Sequence, residues 1–302
     1  RNKVLRSSTE LIFYFKKSMK RCTELTCSDA FFEMFRLFQK YLKLYSRILT
    51  KSLSVSESAD RVELTEKQRR KVCLIINTGE YCKTLCKQLG DTVKTTIDSK
   101  FKDKIDMKKE QQDFADVVGS GLKVLVAELQ TRAKDSLSIM SRMPWASWEH
   151  VVDQSDYVNQ FSTYISQRVP LYNDWLSRRH SNFFCDLFVG GLVAVLAEFI
   201  YDCKQISEIG AEQLLLDIAA IKIIISEMPG LTNRKGGEQH PIPPKYTKLV
   251  SKEIAKVERI LKALLSAPSI FELNFVQVIP KGSETLFVRL LGLKGIPKSE
   301  HP

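Results

Sequence analysis

An all-α fold is the class this chain predicts, and three observations carry that prediction. Apolar residues recur at helical spacing through nearly the whole length. Strand-like alternation between tight turns is almost absent. Gly and Pro, 13 and 10 of 302 residues, are too few to punctuate a series of short strands. A hydrophobic content of 44% beside 27% charge belongs to an ordered, core-forming chain. The length suits one large or two ordinary domains, and two helical bundles are expected, residues 1–143 and 144–302.

Residues 2–27 and 29–52 read as two helices, with Ser28-Asp29 as the cap between them. In "DAFFEMFRLFQKYLKLYSRIL", Phe31, Phe35, Phe38, Leu42, Tyr45 and Leu49 share one face. The polar break "SLSVSESADRVEL" reads as a mobile loop. A long helix from Thr65 to Ile97 opens with Thr65-Glu66-Lys67-Gln68 as a capping box. Gly79 at its apolar centre costs about 1 kcal/mol of helix propensity, which close packing against a neighbour would explain. The charged connector "SKFKDKIDMKKE" leads into a helix from Lys108 to Met140. Its "GSGLKV", Gly119 to Val124, lacks the third Gly and the preceding strand of a dinucleotide loop, so it is expected to be helix interior.

"MPWASWEHVVDQS", Met143 to Ser155, breaks the pattern at Pro144 and sets Trp145 near Trp148. It is expected to form the corner between the bundles, plugged by its aromatic rings. Helices follow from Asp156 to Arg178 and from Ser181 to Tyr201. The apolar run "LFVGGLVAVLA" in the latter lies between Asp186 and Glu198, too short to span a bilayer, and Gly190-Gly191 should mark a close contact. In "GAEQLLLDIAAIKIIISEMP", Glu212, Asp217, Lys222 and Glu227 would be stranded in hydrocarbon. Leu214, Leu215, Ile218, Ile221, Ile225 and Met228 line one face instead, so the helix should pack on other helices until Pro229-Gly230 ends it. "GLTNRKGGEQHPIPP" is expected to be an exposed loop, disordered in part. A basic helix from Lys245 to Leu265 and two short helices, "FELNFVQVI" and "SETLFVRLLGLKG", complete the chain before Gly295-Ile296-Pro297. No fixed-period repeat is visible, which disfavours a solenoid.

Little here resembles a catalytic site. The seven Cys include no CxxC pair, and His150, His180, His240 and His301 supply no zinc spacing, so buried thiols are expected and no metal. There is no Gly-rich phosphate loop, HExxH or GxSxG, so no catalytic residue and no cofactor is assigned, and a non-enzymatic role is expected. The chain begins at Arg1 with no signal-peptide pattern and reads as a fragment of something longer.

The formal charge of +11 is unevenly spread: residues 1–110 hold 25 Lys and Arg against 14 Asp and Glu, while residues 111–302 hold 21 of each. In "KYTKLVSKEIAKVERILKALL", Lys245, Lys248, Lys252, Lys256, Arg259 and Lys262 fall within an arc of roughly 120°. Leu249, Val250, Ile254, Val257, Ile260, Leu261 and Leu264 take the opposite side, and Glu253 lies out of pattern. This basic face is the candidate binding site, suited to acidic protein surfaces or anionic headgroups. A basic, all-helical nucleic-acid-binding module is the alternative, suggested by a pI near 9.2. Segmented charge and the lack of interleaved exposed aromatics count against it.

Five stretches resemble a known family: "NTGEYC" (77–82), "MPWASWEHVVDQSDYV" (143–158), "GAEQLLLD" (210–217), "YTKLV" (246–250) and "LKGIPKSE" (293–300). Their order and wording are similar to the C-terminal half of the vacuolar protein sorting-associated protein 53 family, from about Val72 to Glu300. Residues 1–71 match in helical character alone, and "SSTELIFYF" and "TNRKGGEQHPIPP" have no counterpart. The resemblance implies tandem helical bundles of the multisubunit tethering-complex type. It further implies a subunit of the Golgi-associated retrograde protein complex, peripheral on trans-Golgi network and endosome membranes and facing the cytoplasm. Such a subunit acts in vesicle tethering during retrograde endosome-to-Golgi protein transport. The implied partners are the other tether subunits, bound mainly through an N-terminal coiled-coil region missing here, with SNAREs, small GTPases or anionic membrane beside them. Without that region, the fragment is not expected to assemble the tether alone.

Overall fold

The computed structural model describes residues 3–53, 61–233, 240–280 and 282–296. These residues form ten α-helices, and no strand occurs among them, so the chain is all-α as its periodicity requires. Part of "SLSVSESADRVEL" and part of "GLTNRKGGEQHPIPP" lie outside the described residues. Two compact units are distinguished, Arg1–Glu128 with Trp175–His180, and Leu129–Asp174 with Ser181–Pro302.

The first unit begins with an antiparallel hairpin of α1 (Arg6–Thr23) and α2 (Asp29–Lys51). Phe15 stacks on Phe38 at 4.2 Å, and the hydroxyls of Ser7 and Tyr45 lie 2.8 Å apart. Phe31, Phe35, Phe38, Leu42 and Leu49 are buried as their spacing demands, and Tyr45 is half-buried. Ser28 does occupy the cap position of α2, but its hydroxyl donates to the Asp29 carboxylate at 3.1 Å and leaves the helix amides uncapped. The capping box of α3 (Glu66–Thr96) forms fully: Thr65 Oγ1 accepts from the Gln68 amide, and Gln68 Oε1 accepts from the Thr65 amide.

α3 crosses α4 (Lys108–Leu137) at Gly79, where a β-carbon would sit 2.9 Å from Val118 Cγ2 and 3.2 Å from the Phe114 carbonyl oxygen. The helix-propensity cost of glycine is thus exchanged for close approach of two helices. "GSGLKV" is interior to α4, as expected. The connector before α4 is less polar than its composition suggests, since Phe101, Ile105 and Met107 are buried and Phe101 stacks on Phe32 at 4.7 Å.

Polar groups complete this unit. Arg69 and Glu128 form a buried ion pair at 3.2 Å. The Asn77 amide donates to the Trp175 carbonyl at 2.8 Å, and its oxygen accepts from the Ser177 amide at 3.3 Å. His180 is buried, with Nδ1 3.1 Å from the Ser177 hydroxyl and Nε2 3.6 Å from Glu80 Oε2. That last distance is too long for a strong hydrogen bond. Burial lowers His180 from its ordinary value of 6.5, outweighing the upward pull of Glu80; Arg179 and Lys83 add to the lowering. Above pH 6.5 both folded and unfolded imidazoles are neutral; below it the unfolded chain takes up a proton that the folded one refuses. Stability of this unit is therefore expected to fall as pH drops below about 6.5, until the folded imidazole is itself protonated. In urea titrations at about pH 7.5 and 5.5, His180→Gln should flatten that part of the pH dependence.

The second unit is built from α5 (Asp156–Trp175), α6 (Arg178–Tyr201), α7 (Glu208–Glu227), α8 (Pro244–Leu264), α9 (Phe271–Val278) and α10 (Glu284–Lys294), with the end of α4; the boundary residues at the α5–α6 turn belong to the first. The expectation that this helix is too short to span a bilayer does not hold by length. With residues beyond the eleven-residue run counted, α6 is long and apolar enough to cross a membrane, and half of its most apolar window is buried inside the protein. Phe184, Cys185, Phe188, Val189, Leu192 and Leu196 are among its core positions. The expected contact at Gly190-Gly191 is half right. Gly190 is exposed and a β-carbon there would meet nothing within 4 Å, while one at Gly191 would meet the flexible Gln130 side chain.

α7 settles what its charges do. Glu212 and Glu227 are exposed, Lys222 pairs with Glu258 of α8 at 3.0 Å, and Asp217 is fully buried. Around Asp217 the stretch 145–157 closes on α7. Ser155 donates from its amide and its hydroxyl, each at 2.8 Å, Tyr157 donates at 2.7 Å, and Gln213 Nε2 at 3.3 Å. Gln213 also accepts from the Val152 amide at 2.8 Å and donates to the Asp153 carbonyl at 3.0 Å. Trp145 is fully buried, donates to the Met140 carbonyl at 2.7 Å and lies 5.0 Å from the Trp148 ring. Its own carbonyl accepts from the Ser207 hydroxyl at 2.8 Å and lies where a β-carbon on Gly210 would go, so only glycine fits there.

All seven cysteines are free; Cys73, Cys82, Cys86, Cys185 and Cys203 are buried, Cys22 and Cys27 partly so. Burial pushes the Cys82 and Cys203 thiols up to about 12 and raises Cys73 and Cys86 as well.

Candidate functional site

α8 starts at Pro244, whose fixed φ suits the first helical turn and whose missing amide hydrogen costs nothing there. Its inner side is committed. Val250, Ile254, Val257, Ile260, Leu261 and Leu264 are buried, and Leu249 is half-buried. Tyr246 is buried too and donates to the Ile225 carbonyl at 2.6 Å, which clamps the start of α8 to the end of α7. At the other end the Lys294 ammonium donates to the Leu264 carbonyl at 2.9 Å.

The outer side carries the six cations singled out in the sequence: Lys245, Lys248, Lys252, Lys256, Arg259 and Lys262 are all exposed. Their surroundings are not equal. Lys256 pairs with Glu253, whose side chain is largely buried, so the out-of-pattern acid compensates one cation of the face. Arg259 Nε donates to the Ala255 carbonyl at 3.2 Å. Lys245 acts on Asp186, whose carboxyl burial raises and Lys245 partly lowers again. Among the described residues Lys248, Lys252 and Lys262 have no ion pair. Glu258 is no interleaved counter-charge to this face, because it is bound to Lys222. The face is therefore a row of free or weakly compensated cationic groups on a helix, able to attract anions. Among the described residues no group of three or more His, Cys, Asp or Glu is placed to hold a metal.

Sequence reading missed two features. The hydrogen-bonded clasp on Asp217 joins residues some sixty apart, and a helical period carries no signal of that. The outer side of α2 bears a second apolar stripe, Leu37, Tyr41, Leu44 and Ile48, whose spacing was present in the sequence. Exposed aromatics also do accompany cations, since Phe13 and Tyr14 stand out from α1 beside Lys16 and Lys17. That corrects the expectation that the chain has none.

A chain of packed helices with a cationic outer face on α8 defines an all-α, helical-bundle protein. Residues 212–296 match the family model described as vacuolar protein sorting-associated protein 53 C-terminus. The chain is 34% identical over 308 aligned residues to vacuolar protein sorting-associated protein 53 A of Arabidopsis thaliana, covering 99% of this chain and 37% of that protein. It is 27% identical over 243 residues to the vacuolar protein sorting-associated protein 53 homolog of Caenorhabditis elegans, covering 79% of this chain and 29% of that protein. The chain belongs to the vacuolar protein sorting-associated protein 53 family, and it spans about a third of the length of these relatives. At 99% coverage the Arabidopsis match takes in nearly all of residues 1–71, where the sequence shows helical character alone.

Three of the five stretches that carry the resemblance are packing elements. In 77–82, Asn77 holds the Trp175–Ser177 turn, Thr78 accepts from the Leu5 amide at 2.9 Å and Gly79 admits α4. The stretches 143–158 and 210–217 are the two halves of the Asp217 clasp.

Proposed function

We propose that this chain is the C-terminal part of a vesicle-tethering subunit of the Golgi-associated retrograde protein complex. It would act in endosome-to-trans-Golgi-network transport through protein and membrane-surface contacts, without catalysis. The observation that supports the reading best is the family match along 99% of the chain. The protein would be cytoplasmic and peripheral on trans-Golgi network and endosome membranes. Its other subunits would be held mainly by regions beyond this chain, and SNAREs or small GTPases would meet its exposed helix faces.

Within this reading the basic face of α8 is the contact for an anionic surface. Each Lys or Arg near an anionic membrane contributes about 1 kcal/mol, so several together give weak, salt-sensitive docking. Reversing Lys248, Lys252 and Lys256 to Glu alters only exposed positions. The triple variant is expected to keep its helical circular dichroism while recruitment to membranes and cargo retrieval in cells decline. Normal cargo sorting by a folded, assembled triple variant would show that the face is merely solvated.

A second reading, a nucleic-acid-binding module, draws its support from Phe13 and Tyr14 beside the α1 cations. Tight binding to nucleic acid that falls steeply with salt would favour it over the tether.

A further inference from the structure

Helix α2 has two apolar arcs, and the described residues cover only one of them. Leu37, Tyr41, Leu44 and Ile48 are 51, 51, 50 and 50% exposed, although each is a large apolar side chain on a well-packed helix. Their spacing of four, three and four residues keeps them within an arc of roughly 60°, a seam about 16 Å long. It lies well round the helix from the buried Phe31, Phe35, Phe38 and Leu42, so packing among the described residues of the first unit leaves it exposed. One edge of the seam is cationic: Arg36, Lys40, Arg47 and Lys51 follow it. Arg36 is paired with Glu33, but Lys40, Arg47 and Lys51 have no ion pair among the described residues.

We propose that this seam is a docking site for an amphipathic helix of a partner protein, with apolar residues at heptad spacing and acidic residues along the flank that meets Lys40, Arg47 and Lys51. The four-three-four spacing is that of an a/d seam, which accepts the knobs of a facing helix. The flank charge selects among such helices by repulsion as much as by attraction. A second copy of the chain does not fit, because it would bring the same cations. The acids on α2, Asp29 and Glu33, are already engaged with Lys100 and Arg36. A bilayer fits poorly as well: interfacial helices present an apolar face of about 100° or more, and this stripe is far narrower. The site is distinct from the basic face of α8 and lies in the other unit, so each stands or falls alone.

The test uses the whole chain and a fluorescent synthetic helix of about three heptads, with Leu at the a and d positions and Glu at the e and g positions. A twin peptide carries Lys at e and g. The Glu-flanked peptide should bind and the Lys-flanked twin should not. Leu37→Gln with Leu44→Gln should weaken binding by about tenfold or more. Lys40→Glu with Arg47→Glu should reverse the preference between the two peptides, a result that mere loss of folding cannot produce. Triple reversal on α8 should leave peptide binding unchanged. The proposal is overturned if neither pair of substitutions alters binding of the Glu-flanked peptide. It is equally overturned if the Leu pair instead abolishes self-association in sedimentation, or acts only on flotation with vesicles containing about 30% phosphatidylserine.

Discussion

Asp217→Ala is expected to be among the most destabilising single substitutions in the second unit, at about 3 kcal/mol or more. The side chain is fully buried and receives the Ser155 amide, the Ser155 hydroxyl, the Tyr157 hydroxyl and the Gln213 amide. Alanine would leave these donors facing a small void without their acceptor, and each unsatisfied group costs about 1–3 kcal/mol. Against a typical domain stability of about 5–15 kcal/mol, that loss is a large share. Asp217→Asn keeps the volume but turns one acceptor into a donor, so its loss should be smaller and still clear. Tyr157→Phe removes a single donor and should cost about 1 kcal/mol. Urea denaturation followed by circular dichroism would rank the three, and a parent-like midpoint for Asp217→Ala would falsify the account.

Ile218→Ala should cost about 2–5 kcal/mol, because Ile218 is fully buried on the same helix and truncation leaves a cavity its rigid neighbours cannot close. Leu215→Ala should cost distinctly less, since Leu215 is only half-buried. The sequence placed the two on one face. The fold draws the edge of that face between them, because Gln213 and Asp217 turn inward and occupy part of the buried arc. Equal losses for Ile218→Ala and Leu215→Ala would mean that the α7 packing is drawn wrongly.

This pair shows what was legible and what was not. Helical period fixes which arc of a helix is apolar, so α2, α3, α7, α8 and the two short terminal helices could be read within a few residues. The Thr65–Gln68 box was legible because both of its hydrogen bonds are local. Ser28 stands at the cap position as its residue type predicts, but its hydroxyl finds a nearer acceptor in Asp29, a competition the residue types alone do not decide. Asp217 looked like one more charge interrupting an apolar run. Its donors come mostly from residues sixty positions away, and tertiary hydrogen bonds of that reach leave no periodic trace. The cations of α8 could be grouped on one face from spacing, whereas the binding of Glu258 to Lys222 required the position of α7. The outer stripe of α2 had a readable spacing, but period says only that an arc is apolar and never whether another helix covers it.

The buried thiols give the molecule a pair of internal stopwatches. Cys73, Cys82 and Cys86 belong to the first unit, Cys185 and Cys203 to the second. Burial withholds both the sulfur and its reactive thiolate, so an alkylating reagent can reach these positions only while the surrounding helices are open. Cys22 and Cys27, partly exposed, would be consumed first and mark zero time. The remaining labelling would then separate into two clocks, one ticking with each opening of residues 73–86 and the other with each opening of residues 185–203. A chain that loosens one unit while keeping the other shut would reveal it in the ratio of the two rates, with no foreign probe attached.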